Sequence, residues 1–456
     1  MPAPIVIPQL ASTVRKLVRD ARANRRTRRR HRRSPALPDT FSDAVARRNR
    51  RLYRTLAGSP LPLTLVEHER LDPEDQNHGT WRLAFRGPGR GGVQPGDLLY
   101  LNWENPPHRV DAVLRHFGRR GDERVLIDTF SAPFQPGRLA YTTLRTALTR
   151  HVDLQQAGTR LLSRLGRNDA VRHNTEQESL HWTRYRTAGR GGDDLPGPAP
   201  RYREFDLLSA LERARRDLSL REFLSFQDRI APRAYSLSRI ENDATTGQFI
   251  AEITVSELRR PYLTWDSRPR HDHGRSAGYL ISRAPGDTVF GWLIPDTHRF
   301  PVFLGRSEPL VLVCTGSGIS GALSLLRSPQ TTPPLWLVYG VRNWDTKHLY
   351  GPELERYAEE GVVSRFSVAV SRPEDATTPK RRVTDALWDQ RDELVRWIRA
   401  GAHIYLIGRL DMGISVTGTI VKILVDREVC HDEEEARALV RQWKAELRFQ
   451  AAVSGL

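Results

Sequence analysis

The chain has 456 residues, 39% of them hydrophobic, enough for two or three domains with real cores and too apolar for overall disorder. The formal net charge is +17, and only two cysteines are present, Cys314 and Cys430, which excludes a disulfide framework and multi-cysteine zinc or iron–sulfur sites. No apolar run reaches the roughly 18 residues of a membrane span, and the apolar start precedes its charges, the wrong order for a secretory signal, so a cytoplasmic protein without a membrane span is expected. Redox chemistry in such a chain would be carried by an organic cofactor.

In chain order, residues 1–40 read as a flexible Arg-rich arm. Residues 1–33 hold eleven Lys or Arg against one acid, Asp20, with a core of Arg25, Arg26, Arg28, Arg29, Arg30, Arg32 and Arg33. Such a block is a solvated tail, a dock for an acidic protein, or a contact for nucleic acid or membrane. The lack of interleaved aromatics argues against single-stranded nucleic acid. Residues 42–56 fit a basic helix with Ser42 as cap. From Leu61 to Leu101 the runs LPLTLVEH, TWRLAFR and GDLLYLNW predict antiparallel barrel strands. Residues 107–220 read as mostly helical, broken by a polar loop from Gly189 to Pro200. Strands are expected again at 234–257 and around 278–304. From Pro309 the apolar runs VLVC, LWLVYG, FSVAVS and IYLIG alternate with helical stretches, which predicts a doubly wound parallel sheet.

Three constellations carry chemistry. Arg233-Ala-Tyr235-Ser236 offers a guanidinium for a pyrophosphate, a ring for a flat aromatic and a hydroxyl. Gly316-Ser317-Gly318-Ile-Ser-Gly321 follows a strand and opens a helical stretch, the context in which glycines let backbone approach a pyrophosphate. Arg342, Ser371, Arg372, Lys380 and Arg382 form a basic set suited to a 2′-phosphate, or a solvated basic surface. His271-Asp-His273 sits among arginines in an expected loop and is a weak metal candidate. Asp432 to Glu435 suit a helix N-terminus. Both cysteines, Trp265 and Trp292 are expected in packing roles.

The order and spacing of several segments resemble the reductase half of the diflavin reductases: cytochrome P450 reductase, the sulfite reductase flavoprotein and the nitric oxide synthase reductase domain. The segments are residues 40–50, QPGDLLYLNWENPPHRVDAVL, TTLRTALTRHVDL, PRAYSLS, LWLVYGVRNWDTKHLYGPELERY and LVRWIRAGAHIYLIG. The resemblance implies an FAD-binding barrel with an inserted helical connecting region (41–304, insertion about 107–220) and an NADP-binding, ferredoxin-reductase-like domain (305–456). It implies FAD at Arg233, Tyr235 and Ser236, with its pyrophosphate on Gly274, Ser276, Ala277 and Gly278. NADPH would lie on Gly316, Ser317, Gly318 and Arg342, with its 2′-phosphate on Ser371, Arg372, Lys380 and Arg382. Ser236 is the implied catalytic contact.

The implied activity is an NADPH-dependent oxidoreductase that reduces FAD and serves a separate acceptor: an acidic flavodoxin-like protein or a haem or iron protein. The family's FMN domain would precede residue 40, where the Arg-rich arm stands. The departures lie at the hydride-transfer centre. Ile407 replaces the family's Cys, Ala452 its Asp, Ser454 its terminal aromatic, and Gly321-Ala322-Leu323 its Pro-Phe-Arg. Ala277 replaces a hydroxyl, and Arg382 a Tyr. The alternative reading is therefore a flavoprotein scaffold that keeps the fold, and FAD, with weak or lost NADPH oxidation.

Overall fold

The computed structural model describes residues 60–71, 79–89, 93–129, 138–166, 205–214, 218–257, 259–263, 269–273, 275–294, 307–328, 333–342, 350–373, 377 and 379–454. The Arg-rich arm, the basic helix at 42–56, the Gly189–Pro200 loop, Gly274 and Trp265 lie outside these residues.

The first half is a closed antiparallel barrel. Its strands are β1 (Leu61–Arg70), β2 (Thr80–Pro88), β3 (Leu98–Leu101), β6 (Arg233–Asp243), β7 (Gln248–Ser256) and β10 (Thr288–Ile294), in the order β1-β10-β3-β6-β7-β2. Strand alternation builds its interior: Leu63 and Leu65 of β1 and Phe249, Ala251, Ile253 and Val255 of β7 point into one core. Trp292 is buried beside Tyr100 and Ile294, in the barrel wall.

Between β3 and β6 lies a layer of helices: α1 (Pro107–His116), α2 (Leu144–Arg150), α3 (Thr159–Arg164), α4 (Leu207–Ala214) and α5 (Leu220–Phe226). They share a core of Val113, Leu148, Leu161, Leu211 and Phe223. Inside it Arg109 Nη1 meets Asp206 Oδ1 at 3.0 Å, and Asn105 donates to the carbonyls of Leu148 and Val152 at 2.6 Å, so these three buried side chains have partners. One part of this stretch departs from the helical expectation. Residues Arg124–Thr129 (β4) and Arg138–Thr143 (β5) form a hairpin, with Val125 and Ile127 buried in the helical core at strand spacing. Two further departures follow β7. His271-Asp-His273 belongs to strand β9 (Pro269–His273), paired with β8 (Arg259–Leu263), and not to a loop. Residues Arg275–Ile281 form a helix, α6, where a strand region was expected to begin.

The second half is a parallel sheet. Its strands are β11 (Leu310–Thr315), β12 (Leu335–Val341), β13 (Arg365–Val370), β14 (His403–Arg409) and β15 (Phe449–Ser454), in the order β13-β12-β11-β14-β15. Helices α7 (Ile319–Leu326) and α8 (Gly351–Glu359) cover one face, on Leu310, Leu312 and Cys314. Helices α9 (Val383–Asp389), α10 (Arg391–Arg399), α11 (Leu410–Asp426) and α12 (Glu433–Ala445) cover the other, on Val311 and Val313. A sheet buried on both faces needs uninterrupted apolar strands, and VLVC, LWLV and IYLI supply them. The predicted combination, an antiparallel barrel with an inserted helical region followed by a doubly wound parallel sheet, is the observed fold class. Among the described residues no helix is long and apolar enough to cross a membrane.

Candidate functional site

Strand β6 carries the first constellation. Arg233, Tyr235 and Ser236 stand at its start, paired with Leu101, Leu99 and Leu98 of β3. Arg233 is exposed, while Tyr235 and Ser236 are half-buried. The Tyr235 hydroxyl lies 2.9 Å from Ser276 Oγ, and Ser276 is buried on α6. Desolvation raises the Tyr235 phenol above its ordinary pKa, so it remains protonated at neutral pH. Two segments that the sequence separates by about forty residues, PRAYSLS and GRSAGYL, thus form one surface at the barrel rim. Ala277 packs on the barrel core beside them, and Gly278 lies within the helix. Arg275 turns to the helical region, where its guanidinium meets the Asp153 carboxylate and donates to Gln156 Oε1 at 2.6 Å.

The glycine motif sits where β11 ends. Gly316–Gly318 form a single 3-10 turn and α7 follows at once. Gly316 has φ +54°, and a Cβ there would meet nothing within 4 Å, so its backbone is open to approach by a ligand. Its carbonyl accepts from the Tyr339 hydroxyl at 3.3 Å. Gly318 serves packing: a Cβ on it would lie 2.7 Å from the Ile407 carbonyl oxygen. Ser317 is half-buried between them. The neighbours of β11 run away in opposite directions, β12 and β13 on one side, β14 and β15 on the other. That order makes the carboxyl end of β11 a topological switch point, the usual seat of a dinucleotide in an open α/β sheet.

The basic set gathers at the carboxyl ends of β12 and β13. Arg372 N–H donates to the Arg342 carbonyl at 2.7 Å, and Arg381 N–H to the Val370 carbonyl at 2.8 Å. Ser371 Oγ donates to the Val341 carbonyl at 3.0 Å. Arg342, Arg372, Lys380 and Arg382 are all exposed there. Arg381, between the last two, is paired with Asp389.

Both halves meet at Gly321, backed by Ile407, two of the positions that depart from the family pattern. A Cβ on Gly321 would lie 2.8 Å from Ile407 Cδ1 and 3.8 Å from Ser236 Cβ. Ile407 is buried, and the sheet register sets Ala452 beside it and Ser454 beside Arg409. Thus Ser236 of the barrel, Gly321 of α7 and Ile407 of β14 converge, with Ile407 filling the space that a glycine leaves. Sequence reading did not find the contacts that seat α7 on the barrel: Ser320, Arg327, Tyr350 and Glu353 on one side, and Ser238, Glu252 and Thr254 on the other. The available signal was Glu252, a charged residue inside the apolar strand QFIAEITVS. Among the described residues no group of His, Cys, Asp and Glu is placed to hold a metal ion.

A barrel of this topology joined to a doubly wound sheet defines a ferredoxin-reductase-like flavoprotein architecture. Residues 312–417 match the oxidoreductase NAD-binding domain family. The chain is similar to the sulfite reductase [NADPH] flavoprotein alpha-component of Yersinia enterocolitica, 26% identical over 369 residues, 79% of this chain and 55% of that protein. It is 25% identical over 366 residues to the corresponding protein of Yersinia pestis and 23% over 363 residues to that of Vibrio cholerae, covering 54% and 53% of them. The chain therefore spans about half the length of these curated relatives. The resemblance to the reductase half of the diflavin reductases, first carried by short segments, is borne out over most of the chain.

Proposed function

We propose that this chain is an NADPH-dependent flavoprotein reductase, in which hydride from NADPH reduces bound FAD and the electrons leave to a separate FMN or metal-centre acceptor. The observation that carries the reading is the meeting of Ser236, on the strand with the flavin-type Arg233 and Tyr235, with Gly321 and Ile407 of the nucleotide-binding half. The Tyr235–Ser276 contact supports FAD on that rim, with Arg233, Gly274, Ala277 and Gly278 as further contacts. The open Gly316 supports a pyrophosphate at Gly316, Ser317 and Gly318, near Arg342. The exposed charges of Arg372, Lys380 and Arg382, with Ser371, support a 2′-phosphate and hence NADPH over NADH.

The relatives are named as NADPH flavoproteins and as one component of a sulfite reductase, which supports transfer to another protein. The basic residues 1–33 support an acidic acceptor, through long-range attraction. A second reading, a flavoprotein with weak NADPH oxidation, is favoured by the altered Ile407, Ala452 and Ser454 positions, with the aliphatic Ile407 occupying the junction.

Reverse-phase analysis of released flavin and ferricyanide reduction with NADPH or NADH test the reading together. FAD and a clear NADPH preference are expected. A protein that neither carries nor takes up FAD contradicts it, and FAD without NADPH-driven reduction of ferricyanide selects the second reading.

A further inference from the structure

Strand β7 turns alternate residues into the barrel, so Glu252 and Thr254 point outward. Both are nevertheless buried, at 1% and 4% exposure. The nucleotide-binding half covers them. Thr254 N–H donates to Ser320 Oγ at 3.1 Å, and Thr254 Oγ1 lies 2.9 Å from the Tyr350 hydroxyl. Arg327, which caps α7, donates from Nη1 to Glu252 Oε1 at 2.8 Å and to the Ser238 carbonyl at 3.1 Å. Its Nε and Nη2 hold the two carboxylate oxygens of Glu353 at 2.7 and 2.6 Å. Ser238 Oγ donates to Glu252 Oε1 at 2.7 Å, and the guanidinium stacks 5.3 Å from the Tyr350 ring. Arg239 and Arg82 face the other Glu252 oxygen at 3.3 and 3.9 Å.

The geometry is directional. Helix α7 opens at Gly316–Gly318 and closes at Arg327, and Ser238 lies two residues beyond Ser236 on β6. One planar guanidinium therefore ties the helix that starts at the dinucleotide loop to the strand that carries Tyr235 and Ser236. Only a forked donor satisfies two carboxylates and a carbonyl at once; a lysine is a point charge. A buried network of this kind adds little net stability compared with an apolar interface, but it penalises every other orientation, because a slip separates the Arg327 guanidinium from Glu252 and the Ser238 carbonyl inside the join. Desolvation works against the charged guanidinium, yet Glu353 and Glu252 outweigh it and push its pKa up, so Arg327 stays charged at any pH the fold survives.

We propose that Arg327 is the positioning residue that fixes the register of the nucleotide-binding half on the barrel. Its consequence for hydride transfer rests on the NADPH–FAD reading above. The test uses the full chain, with Arg327→Lys and the double variant Arg327→Met/Glu353→Gln, which removes the guanidinium together with the carboxylate it holds through two hydrogen bonds, while Glu252 keeps Ser238, Arg239 and Arg82. Amide exchange without nucleotide is followed in peptides of β7 and α7, and flavin content, NADPH Kd and single-turnover flavin reduction are measured alongside. Faster exchange on both faces, with FAD retained, is expected in both variants. At saturating NADPH, flavin reduction should slow on the order of 10- to 100-fold with Kd unchanged, the signature of misplacement. Unchanged exchange in both variants overturns the proposal, as does a rate loss wholly explained by weaker NADPH binding. If the unsubstituted protein is not reduced by NADPH, the functional reading falls, and the exchange result alone decides for or against the latch.

Discussion

Gly318 and Gly316 sit in one turn and are constrained for different reasons. Alanine at Gly318 would press on the backbone oxygen of Ile407, which cannot move without β14. Alanine at Gly316 meets open space and must only tolerate φ +54°, at a cost of roughly 1–2 kcal/mol. Gly318→Ala is therefore expected to lower the Tm more than Gly316→Ala, and the reverse order would contradict the packing role. At the other site, Tyr235→Phe keeps the ring and loses the hydroxyl contact with Ser276, worth about 0.5–1.5 kcal/mol. FAD titration should show a modest loss for Phe and a much larger one for Tyr235→Ala; equal affinities for all three proteins would remove Tyr235 from the site. The residue types were legible in the sequence because Arg-Ala-Tyr-Ser and the glycine turn are local patterns. The fit of Gly321 against Ile407 was not, since it depends on a helix and a strand that only the folded sheet brings together.

Elements were legible where periodicity was strong. The barrel strands and four of the five parallel strands follow from alternating or continuous apolar runs. Strand β15 was hidden because FQAAVS is alanine-rich, and its place comes from pairing with β14. The β4–β5 hairpin was hidden inside a stretch of leucine-spaced helices. Helix α6 is short, and its apolar end reads as the start of a strand region. Caps were clearer. Asp432 accepts the Glu435 N–H at 2.9 Å at the start of α12, as the acidic run predicts. Asp432→Ala should cost about 1 kcal/mol in chemical denaturation, whereas Glu434→Ala, at an exposed position of the first turn, should cost less.

At the scale of the molecule, the join between the halves contributes a pH dependence to stability. Burial alone would raise the Glu353 carboxyl, but its hydrogen bonds and the charge of Arg327 outweigh this and hold it below the usual carboxylate range. A depressed carboxylate contributes stability above its unfolded pKa and loses it as pH falls through the folded value. The Tm advantage of the protein over Glu353→Gln should therefore shrink as the solution is acidified through and below the ordinary carboxylate range. An advantage that grows on acidification would reverse the assignment. The exposed charges of Arg372, Lys380 and Arg382 belong to the same scale, and any preference for NADPH over NADH they confer should weaken with ionic strength. In the proposed function one protein binds FAD at the barrel rim and receives hydride there from NADPH. The most direct test is an anaerobic titration of the FAD-loaded protein with NADPH, followed in the visible spectrum. Bleaching of the oxidised flavin band by NADPH, and far more slowly by NADH, is expected; a flavin that stays oxidised in excess NADPH would contradict the claim.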